Sequence, residues 1–331
     1  MPHLQPAKPF KSYEELLDIL NARGMRIESR TRALRKLAQV GYYRLSGFWY
    51  PCREICFDEN QEALKESGES PWRLKRKDTF VEGTSFNAVF DLYIFDKRLR
   101  LLILDALERI EIYVRSIIAH ELGHVSPLAY QDGGFVLDRY KAARSGNGLS
   151  KAPWEEWLNK QQTKISKSKD ECILWHRSKG KEIPFWVAIE TWDFGMLTRY
   201  FAMLKWKYKN MICDRLGGET HAVLANWLTT LNVLRNKCAH HSRIWNMRVN
   251  SPIQLTDNGD FKKIDADARC KMYGLIAITW CLVKTIGPSS DWIGRVEEAL
   301  KSMPSLPNCS FRAMGFPNSQ NLPTPLFRSD S

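Results

Sequence analysis

Two stretches of this 331-residue chain hold residue types at spacings that could do chemistry. The first is HELGH, His120 to His124, which fits the H-E-x-x-H pattern of zinc hydrolases. In that pattern two histidines one helical turn apart hold the ion and the glutamate acts as base. The second is LRNKCAHHSRIWN, Leu234 to Asn246. Here Arg235, Asn236, Lys237, His240, His241 and Arg243 are interrupted only by Cys238, Ala239 and Ser242. Donors crowded in this way suit a phosphate with a proton to move.

The zinc reading needs a third protein ligand. The nearest zinc-protease pattern places a glycine three residues after the second histidine and a third histidine three residues later, where this chain has Pro127 and Tyr130. Gly123 and Pro127 also predict that the helix ends within the stretch, leaving two histidines near the negative end of its dipole. The eight cysteines include no C-x-x-C pair, and Cys52 and Cys56 lack a second pair nearby, so buried, reduced thiols are expected. No metal and no cofactor are expected.

The second stretch follows an apolar stripe. On a helix, Leu224, Leu228 and Leu231 lead on one line to Arg235. A guanidinium there is costly unless it is paired or faces an anion in a cleft. Cleaving a phosphodiester without metal needs a proton carrier that titrates near neutrality and a cation for the developing phosphorane. His240 suits the first role and Arg235 the second. Five residues apart on a straight helix lie about 140° from each other. Either the helix ends between Arg235 and His240, or two copies of the stretch meet across a dimer. The alternative without function is a helix end whose His and Arg satisfy carbonyls and carboxylates. Glu111 and Arg115, four apart on a line with Leu104, Leu107 and Ile118, look like a part-buried pair that could brace Arg235 or His240.

The formal charge is +12. Residues 1–50 carry nine Lys/Arg against four Asp/Glu and residues 201–250 carry eight against two, while the rest is nearly balanced. Such concentration favours a polyanion partner, RNA or DNA first. In the N-terminal segment Arg26, Arg30, Arg32, Arg35, Lys36 and Arg44 run into Tyr42, Tyr43, Phe48, Trp49 and Tyr50, a mixture suited to nucleic acid. The N-terminus lacks a secretory apolar core and no run of about 18 apolar residues appears, so a cytoplasmic protein without membrane contact is expected.

Helical periodicity dominates and strand-like alternation is nearly absent, so the class is all-α. Two helices are expected over residues 12–45, the first capped by Ser12 and stopped by Gly24, the second running unbroken from Glu28 through Leu45. Residues 1–50 read as a basic helical extension, 51–84 as a loop or insertion, 85–287 as a helical core and 288–331 as an irregular, proline-rich tail. Ser85 to Gly123 reads as one very long core helix or two with a bend. Residues 144–148, RSGNG, read as loop.

KSYEELLDILNARGM, VGYYRLSGFWYP, LYIFDKRLRLLILDALERIEIYVRS, IPFWVAIETWDFGMLTRYF, LRNKCAHHSRIWN and MGFP occur in the order seen in Abi-like abortive-infection proteins of the AbiD/AbiF group, which the chain resembles from near residue 10 to near residue 317. That group is part of the HEPN superfamily. The resemblance implies an HEPN-like helical bundle and an Arg-x4–6-His motif, here Arg235 to His240, with the polar Asn236 after the arginine. Glu111 and Arg115 match the family's E-x-x-x-R. It further implies a metal-independent endoribonuclease, whose 2′-hydroxyl attack leaves a 2′,3′-cyclic phosphate and a 5′-hydroxyl. His241, Arg243 and Lys237 would contact substrate. A single motif per chain implies a homodimer or a partner that supplies the other half, the family role implies a phage-defence toxin, and some relatives are held by a structured non-coding RNA, which the basic N-terminal helix would suit. An RNA-binding protein that holds such an RNA without cutting it is the other reading.

Overall fold

The computed structural model describes residues 7–66, 74–143, 151–256 and 264–317. The RSGNG segment lies outside them. Twelve α-helices and one two-stranded sheet are present among the described residues, a mainly α protein consistent with a helical bundle. The chain divides into two compact units. One takes the described residues up to Leu99 together with those from Val296 onward, and the other takes Arg100–Arg295.

In the first unit, α1 (Tyr13–Ala22) starts on a capping box in which Ser12 and Glu15 satisfy each other's backbone N–H groups. The chain leaves α1 through Gly24 at φ +93°, a conformation that favours glycine. The segment expected as one helix is two, α2 (Arg30–Val40) and α3 (Tyr42–Trp49), because Gly41 sits between them at φ +89°. Leu17, Leu20, Leu37, Leu45, Phe48 and Trp49 are buried there.

The segment read as a loop or insertion holds a small antiparallel sheet, β1 (Arg53–Ile55) and β2 (Arg76–Phe80), pairing Arg53 with Phe80 and Ile55 with Arg76. The strands are short, and β2 buries only Phe80 of its five residues, so they left no alternation to read.

The long core helix is one piece, α4 (Phe86–Val125), 40 residues without interruption, and the boundary between the units falls within it. The second unit continues with α5 (Pro153–Lys167), α6 (Glu171–Ser178), α7 (Phe185–Ala188), α8 (Phe194–Met203), α9 (Trp206–Arg215), α10 (His221–Ala239) and α11 (Met272–Ile286). Trp157, Phe185, Trp192 and Tyr200 form a buried aromatic cluster, with the Trp157 and Trp192 rings at 4.7 Å, edge to face. Two of the cluster's polar tips are used: Trp157 Nε1 donates to the Met196 carbonyl at 3.2 Å and the Tyr200 hydroxyl to that of Ala129 at 3.2 Å. This cluster fixes the short segment Ile189–Asp193 that precedes α8.

The tail expected to be irregular contains α12 (Trp292–Lys301), because Trp292, Ile293, Val296 and Leu300 form a short apolar stripe and are all buried. The Trp292 indole donates to the Leu102 carbonyl at 2.8 Å.

Candidate active site

The motif Arg235 to His240 lies at the C-terminal end of α10, which Thr220 caps and which packs on α8, α9 and α11. Its apolar face, Leu224, Trp227, Leu228, Leu231 and Leu234, is buried, and Arg235 continues that face at a helix end where 35% of its side chain meets solvent. α10 stops at Ala239. His240 is its C-cap and donates its backbone N–H to the Asn236 carbonyl at 2.9 Å. His241 follows at φ +57°, a left-handed residue that turns the chain away from the helix direction. Regular helix thus ends just before His240, whose N–H still closes the last turn on Asn236.

Arg235 faces α4. Its Nε lies 3.5 Å from Glu111 Oε2, while Arg115 Nη2 donates to Glu111 Oε1 at 3.1 Å. Arg115 is held further by the Trp192 carbonyl at 3.0 Å and by Glu190 Oε2 at 3.2 Å. Glu111 thus binds both guanidiniums, one through each oxygen. Arg115 is engaged on three sides, whereas Arg235 makes no other ion pair among the described residues. Burial pushes the Glu111 carboxyl above its usual range, and the charges of Arg235 and then Arg115 oppose that rise. Asp193, the N-cap of α8, also faces a burial penalty, yet hydrogen bonds from Lys164 and from the Met196 backbone, with Lys160 beside them, hold its carboxyl below the usual range.

These side chains line a pocket of about 430 Å³ formed by Leu104, Glu108, Glu111, Ile112, Arg115, Arg235 and Ala239. Its walls are part apolar, from Leu104, Ile112 and Ala239, and its charged groups are the Arg115–Glu111–Arg235 chain and Glu108. Arg235, which pairs here with a single carboxylate, is the lining group able to take an anion. His240 follows the lining residue Ala239 but is exposed and does not itself line the pocket.

The structure thus brings together Glu111, Arg115 and Arg235. Asn236 and His241 are exposed, Lys237 is half-buried in the last turn of α10, where its carbonyl accepts the Ser242 N–H at 2.9 Å, and Arg243 is half-buried in the turn that follows. The N-terminal cations are a mixed group. Arg30 is paired with Asp18 at 2.6 Å, Arg26 with Glu28 at 3.4 Å, and the Lys36 ammonium lies 3.2 Å from the centre of the Phe90 ring. Arg32, Arg35 and Arg44 are exposed. Of the aromatics beside them, Phe48 and Trp49 are core, and Tyr43 is 77% exposed.

HELGH occupies the last turns of α4. His120 and His124 are exposed, and His120 Nδ1 lies 3.2 Å from its neighbour Glu121. Among the described residues no group of three or more His, Cys, Asp or Glu side chains is placed to hold a metal ion.

Glu190 and the Trp192 carbonyl were missed by sequence reasoning. They lie 75 and 77 residues from Arg115, and no local pattern announces a contact made only by folding.

No helix among the described residues is long and apolar enough to cross a membrane. Neither the curated proteins nor the solved structures contain a match to this chain. The profile of the Abi-like proteins matches residues 35–246, more than half of the chain and the whole of the pocket. The chain belongs to the Abi-like protein family, a membership that points to abortive infection and phage defence.

Proposed function

We propose that this Abi-like protein is a metal-independent endoribonuclease of HEPN type that acts in the cytoplasm as a toxin against the infected cell. The observation that carries the reading is Arg235, drawn by Glu111 into a pocket at the end of a helix that stops one residue before His240. An exposed imidazole and a guanidinium in a part-apolar pocket supply the two things that RNA transesterification needs.

In the proposed reaction His240 accepts the proton of a ribose 2′-hydroxyl. The 2′-oxygen forms a bond to the adjacent phosphorus, the bond from phosphorus to the 5′-oxygen breaks, and that oxygen takes up a proton. The products are a 2′,3′-cyclic phosphate and a 5′-hydroxyl. Arg235 stabilises the charge on the phosphorane, Asn236 orients the site, and Lys237, His241 and Arg243 hold flanking phosphates. Glu111 and Arg115 position Arg235. Because His240 stands outside the pocket wall, a homodimer in which a second copy brings its own His240 toward the first Arg235 completes the site. Ile112, a lining residue with 53% of its surface exposed, would lie under that second copy. A structured non-coding RNA is the proposed second partner, held through the exposed Arg32, Arg35 and Arg44 with Arg26, Arg30 and Lys36 beside them.

The test is cleavage of total tRNA and of a phage transcript by RNA-free protein in EDTA, comparing wild type with His240→Ala. Cutting by wild type alone, with cyclic phosphate ends, is the expected result. RNA bound but left uncut by both proteins would instead favour an RNA-binding protein.

A further inference from the structure

A second surface of the Arg100–Arg295 unit carries exposed tryptophans beside cations. α6 and α7 pack on each other, and each presents an indole to solvent: Trp175 on α6 is 49% exposed and Trp186 on α7 is 53% exposed. Half-exposed tryptophans are unusual on a protein surface unless they contact something.

Both rings are held in place. Trp186 lies over Gly123 of α4, so closely that a Cβ built on that glycine would come 3.2 Å from Trp186 Cε3. This contact gives the glycine of HELGH a packing role that has nothing to do with zinc. Trp175 is fixed by the His176 ring at 4.8 Å, edge to face, and by the Lys181 ammonium 4.9 Å from its centre. Between Trp175 and Trp186 the chain carries Arg177, Lys179 and Lys181 against the one carboxylate Glu182, all exposed.

Fixed aromatic faces bordered by cations are what single-stranded nucleic acid needs. Each unpaired base can stack on an indole, and the cations follow the phosphates. Little ordering is required of rings that packing already holds. A protein partner would be met by the same indoles, but three cations against one carboxylate between them favour a polyanion. We infer that Trp175 and Trp186, with Arg177, Lys179 and Lys181, form a stacking platform for unpaired bases of RNA. The inference rests on the reading of the chain as an RNA-acting protein and names how the substrate strand is held.

The experiment uses the full chain carrying His240→Ala, so that binding is read without cleavage. Affinity for a fluorescent oligouridine strand and for a G·C hairpin duplex is measured before and after Trp175→Ala and Trp186→Ala. Trp186→Phe, which keeps a stacking face, and Phe57→Ala, an exposed aromatic outside both proposed RNA surfaces, serve as controls. The expected result is at least about fivefold weaker binding of the single strand per tryptophan removed. Duplex binding should change much less, Trp186→Phe should recover most of the loss, and Phe57→Ala should have no effect. Equal losses for strand and duplex, or none for either, would overturn the platform. So would tryptophan-dependent binding to anionic phospholipid vesicles with unchanged strand affinity. Failure of the nuclease reading is seen separately, as an absence of cleavage by the protein with His240 intact. Strand binding that depends on the tryptophans would then still stand.

Discussion

Helix α4 carries two polar pairs at the same four-residue spacing, Glu111 with Arg115 and His120 with His124, and they meet opposite fates. The first pair faces α10 and the segment before α8, where it becomes the buried centre of a chain of charge whose ends, Arg235 and Glu190, reach toward solvent. The second lies two turns further on, where the helix ends, and both its rings are exposed. Spacing puts two side chains on one helix face and says nothing of what that face meets. Only at the first pair do other elements bring a third and fourth partner.

The largest expected difference between the two regions is in reaction rate. Arg235→Ala and His240→Ala should each lower RNA cleavage by about 10²–10⁴-fold, the range for losing a proton carrier or a charge stabiliser. The double change His120→Ala with His124→Ala should leave the rate unchanged. Initial rates on one end-labelled RNA measure all of these, and a comparable loss from the histidine pair would end the distinction drawn here.

Stability should separate the regions next. Arg115→Ala strips two carboxylates and a carbonyl of their donor. The expected loss is about 2–3 kcal/mol, below the value for a fully buried pair because Glu111 keeps Arg235. His120→Ala, at a side chain 70% exposed, should stay within about 0.5 kcal/mol. Urea unfolding of the two variants against wild type tests the contrast. Equal losses would mean that the buried pair contributes no more than the exposed one.

The third effect is a slope. Burial raises the folded-state pKa of Glu111 above the usual 4.5, so the folded protein binds more protons there than the unfolded chain does. Between 4.5 and the folded value, the Glu111 contribution to stability falls as pH rises and returns as pH is lowered. Glu111→Gln should remove that part of the pH dependence. Arg235→Ala should extend it to higher pH, because the cation that most opposes the rise is gone. Unfolding measured at a series of pH values shows whether the slope responds in these opposite senses.

Much of this was legible in the sequence where the signal is local. The apolar period of Leu92, Leu99, Ile103, Ala106 and Ile110 shows α4, and the line from Leu224 to Arg235 shows a cation on a core face. The break at Gly41 was not foreseen because the glycine sits amid good helical periodicity, and only its positive φ ends α2. α12 was hidden by the prolines around a stripe of four residues. The pocket was half legible. Glu111 and Arg115 share a helix and declare their pairing, whereas Glu190 reaches Arg115 through the packing of the Trp157–Trp192 cluster, which no spacing rule encodes.

The smallest expected effect concerns the glycine between the two histidines. Within a helix, alanine is favoured over glycine by roughly 0.5–1 kcal/mol, so Gly123→Ala gains backbone stability. Against this, its Cβ would press on Trp186 at 3.2 Å, and that ring, half in solvent, can yield outward by a few tenths of an ångström. The net gain should therefore be small, up to about 0.5 kcal/mol, while Trp186 moves further into water and the tryptophan emission shifts to the red. Thermal unfolding and fluorescence together decide the point. A stabilised protein with unshifted emission would mean that the glycine does not set the ring's position. A stabilised protein with shifted emission and weakened single-strand binding would show that Gly123 is kept, at some cost in stability, for the surface that Trp186 presents.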